Sequence, residues 1–199
     1  MPASEGPGRR RDPEVDRRIA QAALEVFADT GWAGFAMETV ARRAGVGKAS
    51  LYLRWSSKET LLTDAVTLRL ARVFDADTGT LHGDLVQLAG QVLDIYTGST
   101  GRAASRLTLE AAAIPGVAAH YDAMRASQRH AARAIVRRGI DRGEVAGNVS
   151  VTLLLETLVG GAMMHALTTP PAALAADTSG YALRLVDFLL DAVTTQTAH

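Results

Sequence analysis

Apolar residues recur along this chain at helical spacing, and no stretch alternates as a half-buried strand would. After Asp12-Pro13, an acid cap followed by proline at the first helical position, Val15, Ile19, Ala22, Val26 and Phe27 form one face up to Gly31. Met37, Val40, Ala41 and Ala44 fall at i, i+3, i+4 and i+7 and predict a helix over 37–44. Leu51, with Trp55 one turn on, predicts another over about 48–54. Ser56 with Glu59 fits a capping box opening a fourth helix. Leu61, Leu62, Ala65, Val66, Leu68 and Val73 carry that helix to about Asp75. Leu85, Leu88, Ala89, Val92, Leu93 and Tyr96 then make a clear amphipathic helix, closed by Gly98–Gly101. A helix over 102–113 stops at Pro115-Gly116. Val117, Tyr121, Met124, Ala131 and Ile135 predict a long one to Arg142, ended by Gly143.

Residues 151–168 are apolar nearly all round, which predicts a helix buried on most sides. Gly160-Gly161 costs a helix interior about 2 kcal/mol, offset if another backbone approaches closely there. Pro170-Pro171 stops that helix. Ala182, Leu185, Val186, Leu189, Leu190 and Val193 predict a last one over about 179–195. These two apolar helices can bury each other within one chain or form half of a four-helix bundle across a two-fold axis. The fold class is therefore all-α, with no internal repeat.

The breaks divide the chain into three parts. Residues 1–11 hold Pro, Gly and Arg9-Arg10-Arg11 with almost no apolar residue, and predict a disordered basic arm. Such an arm can reach phosphates or a minor groove, as homeodomain arms do, or simply be a solvated tail. Residues 12–75 form an N-terminal helical unit. Gly79 and Gly83 mark the break at Asp77–Asp84, so a second helical unit spans 76–199.

Within the first unit, two short helices flank Gly45-Val46-Gly47, the pattern of a helix-turn-helix over about 36–55. Gly45 sits where a helix end needs a positive φ. Between 37 and 58 stand Arg42, Arg43, Lys48, Arg54 and Lys58 against one acid, Glu38. The whole protein has a formal net charge of zero, so this local excess is a placed feature and suits a nucleic-acid partner. A helix of about seven residues is roughly 10 Å long and fits a major groove about 12 Å wide. Arg42, Arg43, Arg54 and Lys58 can neutralise phosphates, and the Tyr52 hydroxyl can donate to one. Lys48 suits a guanine edge, Ser50 is a weaker hydrogen bonder, and Ala49 and Leu53 can touch thymine methyls.

Val40-Ala41, Ala44-Gly45-Val46, Lys48-Ala49-Ser50-Leu51-Tyr52, Trp55 and Ser57-Lys58-Glu59-x-Leu61 together resemble the TetR family of bacterial transcriptional regulators. The resemblance covers about the first 75 residues from Asp12. It implies a three-helix DNA-binding head, a fourth helix linking it to a helical body, and a homodimer on a palindromic operator. It also implies that Lys58 contacts phosphate, that helices 151–168 and 179–195 form the dimer interface, and that a small-molecule effector binds between the middle helices. Leu93, Tyr96, Tyr121, Met124, Met163 and Met164 are candidates to line that pocket, and their composition suits an apolar or neutral effector. Two positions depart from the pattern. Ala36 replaces the usual Ser or Thr cap, a loss of about 1 kcal/mol. Leu53 stands where a polar or aromatic residue is common.

Other chemistry finds no support. The chain has no cysteine, which removes disulfides, thiolate catalysis and zinc–thiolate sites. His82, His120, His130, His165 and His199 make no metal-ligand spacing. No phosphate-binding glycine loop or nucleophile motif occurs, so neither catalytic residues nor a cofactor is expected. The N-terminus lacks the apolar core of a signal peptide, and no apolar run reaches the roughly 20 residues of a bilayer span. The expected protein is a cytoplasmic, non-enzymatic regulator, a repressor released from DNA by its effector. A helical enzyme and an effector-independent architectural DNA binder are the alternatives.

Overall fold

The computed structural model describes residues 12–70 and 76–195. The proposed Arg9–Arg11 arm and the expected helical turn at Val73 lie outside the described residues. Within them the protein is built from helices, with no strand.

The first helix, α1 (Pro13–Gly34), starts as its sequence dictates: the Asp12 carboxylate accepts the Glu14 N–H at 3.0 Å, and Pro13 fills the first position. It buries Ile19, Ala22, Leu24, Val26 and Phe27, and breaks at Gly31, whose φ is 64°. Next come α2 (Met37–Ala44) and α3 (Lys48–Tyr52). The predicted apolar stripe of α2, Met37, Val40, Ala41 and Ala44, is buried throughout. Gly45 ends it at φ 64°, ψ 36°, as its position demanded. Helix α3 is shorter than its 48–54 expectation, but its bonding continues: Leu53 N–H reaches Ala49 O and Trp55 N–H reaches Leu51 O, both at 3.0 Å.

The fourth helix, α4 (Lys58–Leu70), is capped one residue later than predicted. Ser57 Oγ accepts the Thr60 N–H at 3.2 Å, and Thr60 Oγ1 accepts the Ser57 N–H at 3.3 Å. The reciprocal box is thus Ser57 with Thr60, not Ser56 with Glu59, because a hydroxyl at the third helical position reaches back as well as a carboxylate does. Leu61, Leu62, Ala65 and Val66 are buried, whereas Leu68 faces outward.

The C-terminal half is α5 (Leu81–Tyr96), α6 (Gly98–Glu110), a 3₁₀ turn at Ala111–Ala113, α7 (Ala118–Asp141), α8 (Val151–Thr168) and α9 (Pro171–Thr195). Three of these begin earlier than the pattern suggested. Thr80 caps α5 by accepting the Gly83 N–H, so Leu81 and Asp84 form a first turn where a break was expected. Gly98, at φ 65°, opens α6 instead of merely ending α5. Pro171 stops α8 but is itself the start of α9, which bends at Asp177 into two segments.

Helix α1 packs against α2, α4 and α6, and α5 lies against α6, α7, α8 and α9. One apolar cluster runs continuously through both halves. Asp84 is fully buried and accepts from the Thr78 N–H and hydroxyl at 2.6 and 2.8 Å, with Arg142 and Arg138 guanidinium nitrogens 3.6 and 3.8 Å away. Arg138 also donates to Ala76 O, tying the start of this half to α7.

Helix α8 corrects a further expectation. Leu154, Leu155, Leu158, Ala162 and Ala166 are buried, but Leu153, Met164 and Leu167 are exposed. It is buried along one face, not on most sides. Among the described residues it is the one helix long and apolar enough to cross a membrane, with 18 residues at hydropathy 1.4. The two glycines split their roles. A Cβ at Gly161 would lie 3.3 Å from Leu185 of α9, and Tyr181 donates to the Gly161 carbonyl at 3.3 Å. Gly160 faces open space.

Candidate nucleic-acid interface

Leu51 is the only buried side chain of α3, and it fixes which way the helix faces. Trp55 is buried beside it, held by a 2.8 Å bond from its indole N–H to Asp64 of α4. Val46, in the turn, packs partly buried on the same core. With that side anchored, Lys48, Ala49, Tyr52 and Leu53 stand exposed, Leu53 to 87%. A leucine side chain left this bare at the end of a short helix stabilises nothing inside the protomer.

The basic residues differ in what already holds them. Arg42 is exposed, with no ion-pair partner among the described residues. Arg43 is paired with Asp29 at 2.6 Å, and Asp29 lies below its ordinary value chiefly through that hydrogen bond. Arg54 is half-buried, bonded to Asp16 at 2.9 Å and to the Ser50 hydroxyl at 2.6 Å. Arg54 therefore ties α3 to α1, and Ser50 is engaged as its acceptor. Lys48 is paired with Glu38 at 2.7 Å, and the Tyr52 hydroxyl donates to the same carboxylate at 3.1 Å. Lys58 Nζ stands 3.9 Å over the Trp32 ring and 3.4 Å from its carbonyl oxygen, at the N-terminus of α4. Trp32 in turn stacks on Phe35, with ring centroids 5.9 Å apart. Spacing alone did not reveal this lysine–tryptophan contact or the Glu38 cluster, because their members belong to different helices.

The candidate pocket residues sit on α5, α7 and α8. Leu93, Tyr96 and Tyr121 are buried, Met124 and Met163 are partly buried against the core, and Met164 is exposed. The Tyr121 hydroxyl lies 3.1 Å from that of Thr108, joining α7 to α6. A surface cleft of about 190 Å³ is lined by Leu81, His82, Glu144, Val145, Leu190 and Asp191, and none of the six candidates borders it.

Two family models cover this architecture. Residues 19–65 match the one described as bacterial regulatory proteins, tetR family, and residues 75–189 match the tetracyclin repressor-like C-terminal domain. The chain belongs to the TetR family. As a TetR-family protein it is a DNA-binding transcriptional regulator. The HTH-type transcriptional regulator AqdR of Rhodococcus erythropolis is 32% identical over 160 residues, covering 80% of this chain and 76% of that one. Among solved structures, FadR of Bacillus subtilis, in complex with stearoyl-CoA, superposes with a TM-score of 0.67 at 18% identity, covering 87% of this chain and 96% of that one. GusR of Salmonella enterica gives 0.63 at 17% identity, covering 92% and 100%. These two likenesses speak to fold alone.

Proposed function

We propose that this TetR-family regulator is a repressor that binds a palindromic operator as a homodimer and leaves it when a small molecule binds the C-terminal helices. The observation that carries the DNA reading is the outward face of α3. Leu51 and Arg54 hold the helix from behind, and Lys48, Ala49, Tyr52 and Leu53 project from the other side. In this reading α1–α4 form the head and α5–α9 the body, dividing just before Asp77. Lys48 reads a guanine edge, and Ala49 and Leu53 meet thymine methyls. Tyr52, Arg42 and Lys58 contact phosphates, while Arg43, Arg54 and Ser50 serve chiefly to hold the motif. Lys58 is presented by the Trp32 ring at a capped helix N-terminus, where backbone N–H groups favour an anion.

Dimerisation is assigned to α8 and α9, whose outward faces carry Leu153, Met164, Leu167, Leu183 and Phe188. The effector is assigned to the space between α5, α7 and α8. Leu93, Tyr96, Tyr121, Met124 and Met163 favour an apolar or neutral ligand there. Met164, exposed on the same side as Leu153 and Leu167, fits the dimer face better.

Selection from a random duplex library, with the winner titrated at two salt concentrations, tests this. The expected winner is a near-palindrome with half-sites about 34–36 Å apart or a multiple of that, bound far more tightly than random DNA. Binding with a steep salt slope and no enriched sequence would replace it with an architectural role, since phosphate neutralisation alone gives that signature.

A further inference from the structure

Glu38 is the one acidic residue between positions 37 and 58, and it sits among the groups assigned to DNA. It lies in the first turn of α2, and its carboxylate touches two residues of α3 at once. Lys48 Nζ is 2.7 Å away and the Tyr52 hydroxyl 3.1 Å. Lys48 Nζ is also 5.8 Å from the centre of the Tyr52 ring, so the three side chains fix one another. Glu38 lies below its ordinary value, first through the Lys48 hydrogen bond, then through its own backbone N–H and Tyr52.

The backbone contact explains part of this. Ala36 supplies no capping oxygen, and an acid in the first turn takes up an orphan N–H and suits the helix dipole. It does not explain the reach across to α3. Stability does not explain it either, because an exposed ion pair contributes little, and both side chains here are more than half exposed, at 63% and 53%. Recognition does explain it. A free lysine on a groove-facing helix can turn to any phosphate within reach, which adds affinity without sequence information. An ammonium held by Glu38 keeps two N–H donors, the number that guanine O6 and N7 accept. The carboxylate also disfavours a phosphate at that spot.

We infer that Glu38 is a specificity-determining residue of this regulator, a positioning group that acts through Lys48 by aiming it at a base edge and withholding it from phosphates. This rests on the reading of α3 as the groove-facing helix. An uncharged residue at 38 frees Lys48 to neutralise one more phosphate on any duplex.

The test is a cycle of wild type, Glu38→Gln, Lys48→Ala and the double variant, each titrated against the selected operator and a random duplex at two salt concentrations. Glutamine keeps the volume and an oxygen for the backbone N–H, so thermal unfolding is expected to be unchanged. Glu38→Gln is expected to tighten random-DNA binding and to steepen its salt slope by about 0.9, one phosphate's worth. It is expected to narrow the operator-to-random ratio at least about fivefold, with the loss at the one base-pair position in each half-site that Lys48 reads. In the Lys48→Ala background the same change should leave ratio and slope unmoved. If Glu38→Gln shifts operator and random DNA equally, or acts as strongly without Lys48, the positioning role is wrong. If wild type selects no sequence at all, the reading of α3 fails and this role falls with it.

Discussion

Ala36 takes an extended conformation at the N-cap of α2 with no side-chain oxygen to offer, and Ala36 O already receives both Thr39 and Val40 N–H groups at 3.1 Å. A hydroxyl there would reach the remaining first-turn donors. Ala36→Ser is therefore expected to stabilise the protein by about 0.5–1 kcal/mol, read as a higher denaturant midpoint at unchanged slope. No shift would mean that Glu38 already satisfies that turn. Gly45 presents the opposite case. Its φ of 64° strains any side chain although a Cβ would meet nothing within 4 Å, so Gly45→Ala should cost about 1 kcal/mol through backbone alone. Gly47, at φ −67°, should accept alanine at far smaller cost. At this scale the sequence was legible wherever one residue's own backbone preference decided the outcome: the Asp12-Pro13 start, the missing cap and the Gly45 stop. It was not legible where a side chain's partner lies on another helix. Arg54 reads as a phosphate contact by its position in the motif, but Asp16, 38 residues earlier, holds it. Glu38 stood out only as the lone acid, and nothing local says that it spans α2 and α3.

Among the elements, α8 and α9 show what periodicity leaves open. When a helix is apolar on every side, the pattern cannot say which face its own chain covers. Here α5, α7 and α9 cover the Leu154–Leu158–Ala162 face of α8, and Leu153, Gly160, Met164 and Leu167 remain on another. On α9, Phe188 is 70% exposed. Large apolar side chains exposed on adjoining helices suit the proposed dimer surface. A partner backbone approaching Gly160 would also recover the cost of a glycine in mid-helix. Leu167→Glu with Phe188→Glu is expected to give a monomer by sedimentation. Operator affinity should fall by about 10²–10⁴, because each half-site would then be bound without the avidity of its twin. Leu109→Glu, on α6 and barer still at 85%, should leave the assembly unchanged. A dimer that survives the α8–α9 pair would move the interface elsewhere.

For the whole molecule, the decisive feature is how α1–α4 meet α5–α9. Among the contacts of the described residues that join them, two lie close to the DNA-binding elements. At one, Glu110 of α6 accepts the Trp32 N–H at 3.2 Å, and Arg106 lies so close over Gly31 that a Cβ there would sit 2.2 Å from its guanidinium. Trp32 is the residue whose ring carries Lys58. At the other, His120 of α7 meets Thr67 of α4 at 2.7 Å, and Gln128 donates to the Leu70 carbonyl at 2.9 Å. A shift of α6 or α7 would therefore be felt at a proposed phosphate contact and at the helix behind the motif. Coupling of this kind is reciprocal, so DNA must act on the C-terminal helices as strongly as their ligand acts on DNA binding. This gives a test that needs no effector in hand. Operator DNA is expected to slow amide hydrogen exchange in α6 and α7 as well as in α2 and α3. Glu110→Ala with His120→Ala should confine the protection to residues 13–70 while leaving the helices folded. Protection confined there already in the wild type would mean that these joints brace the fold without carrying a signal across it.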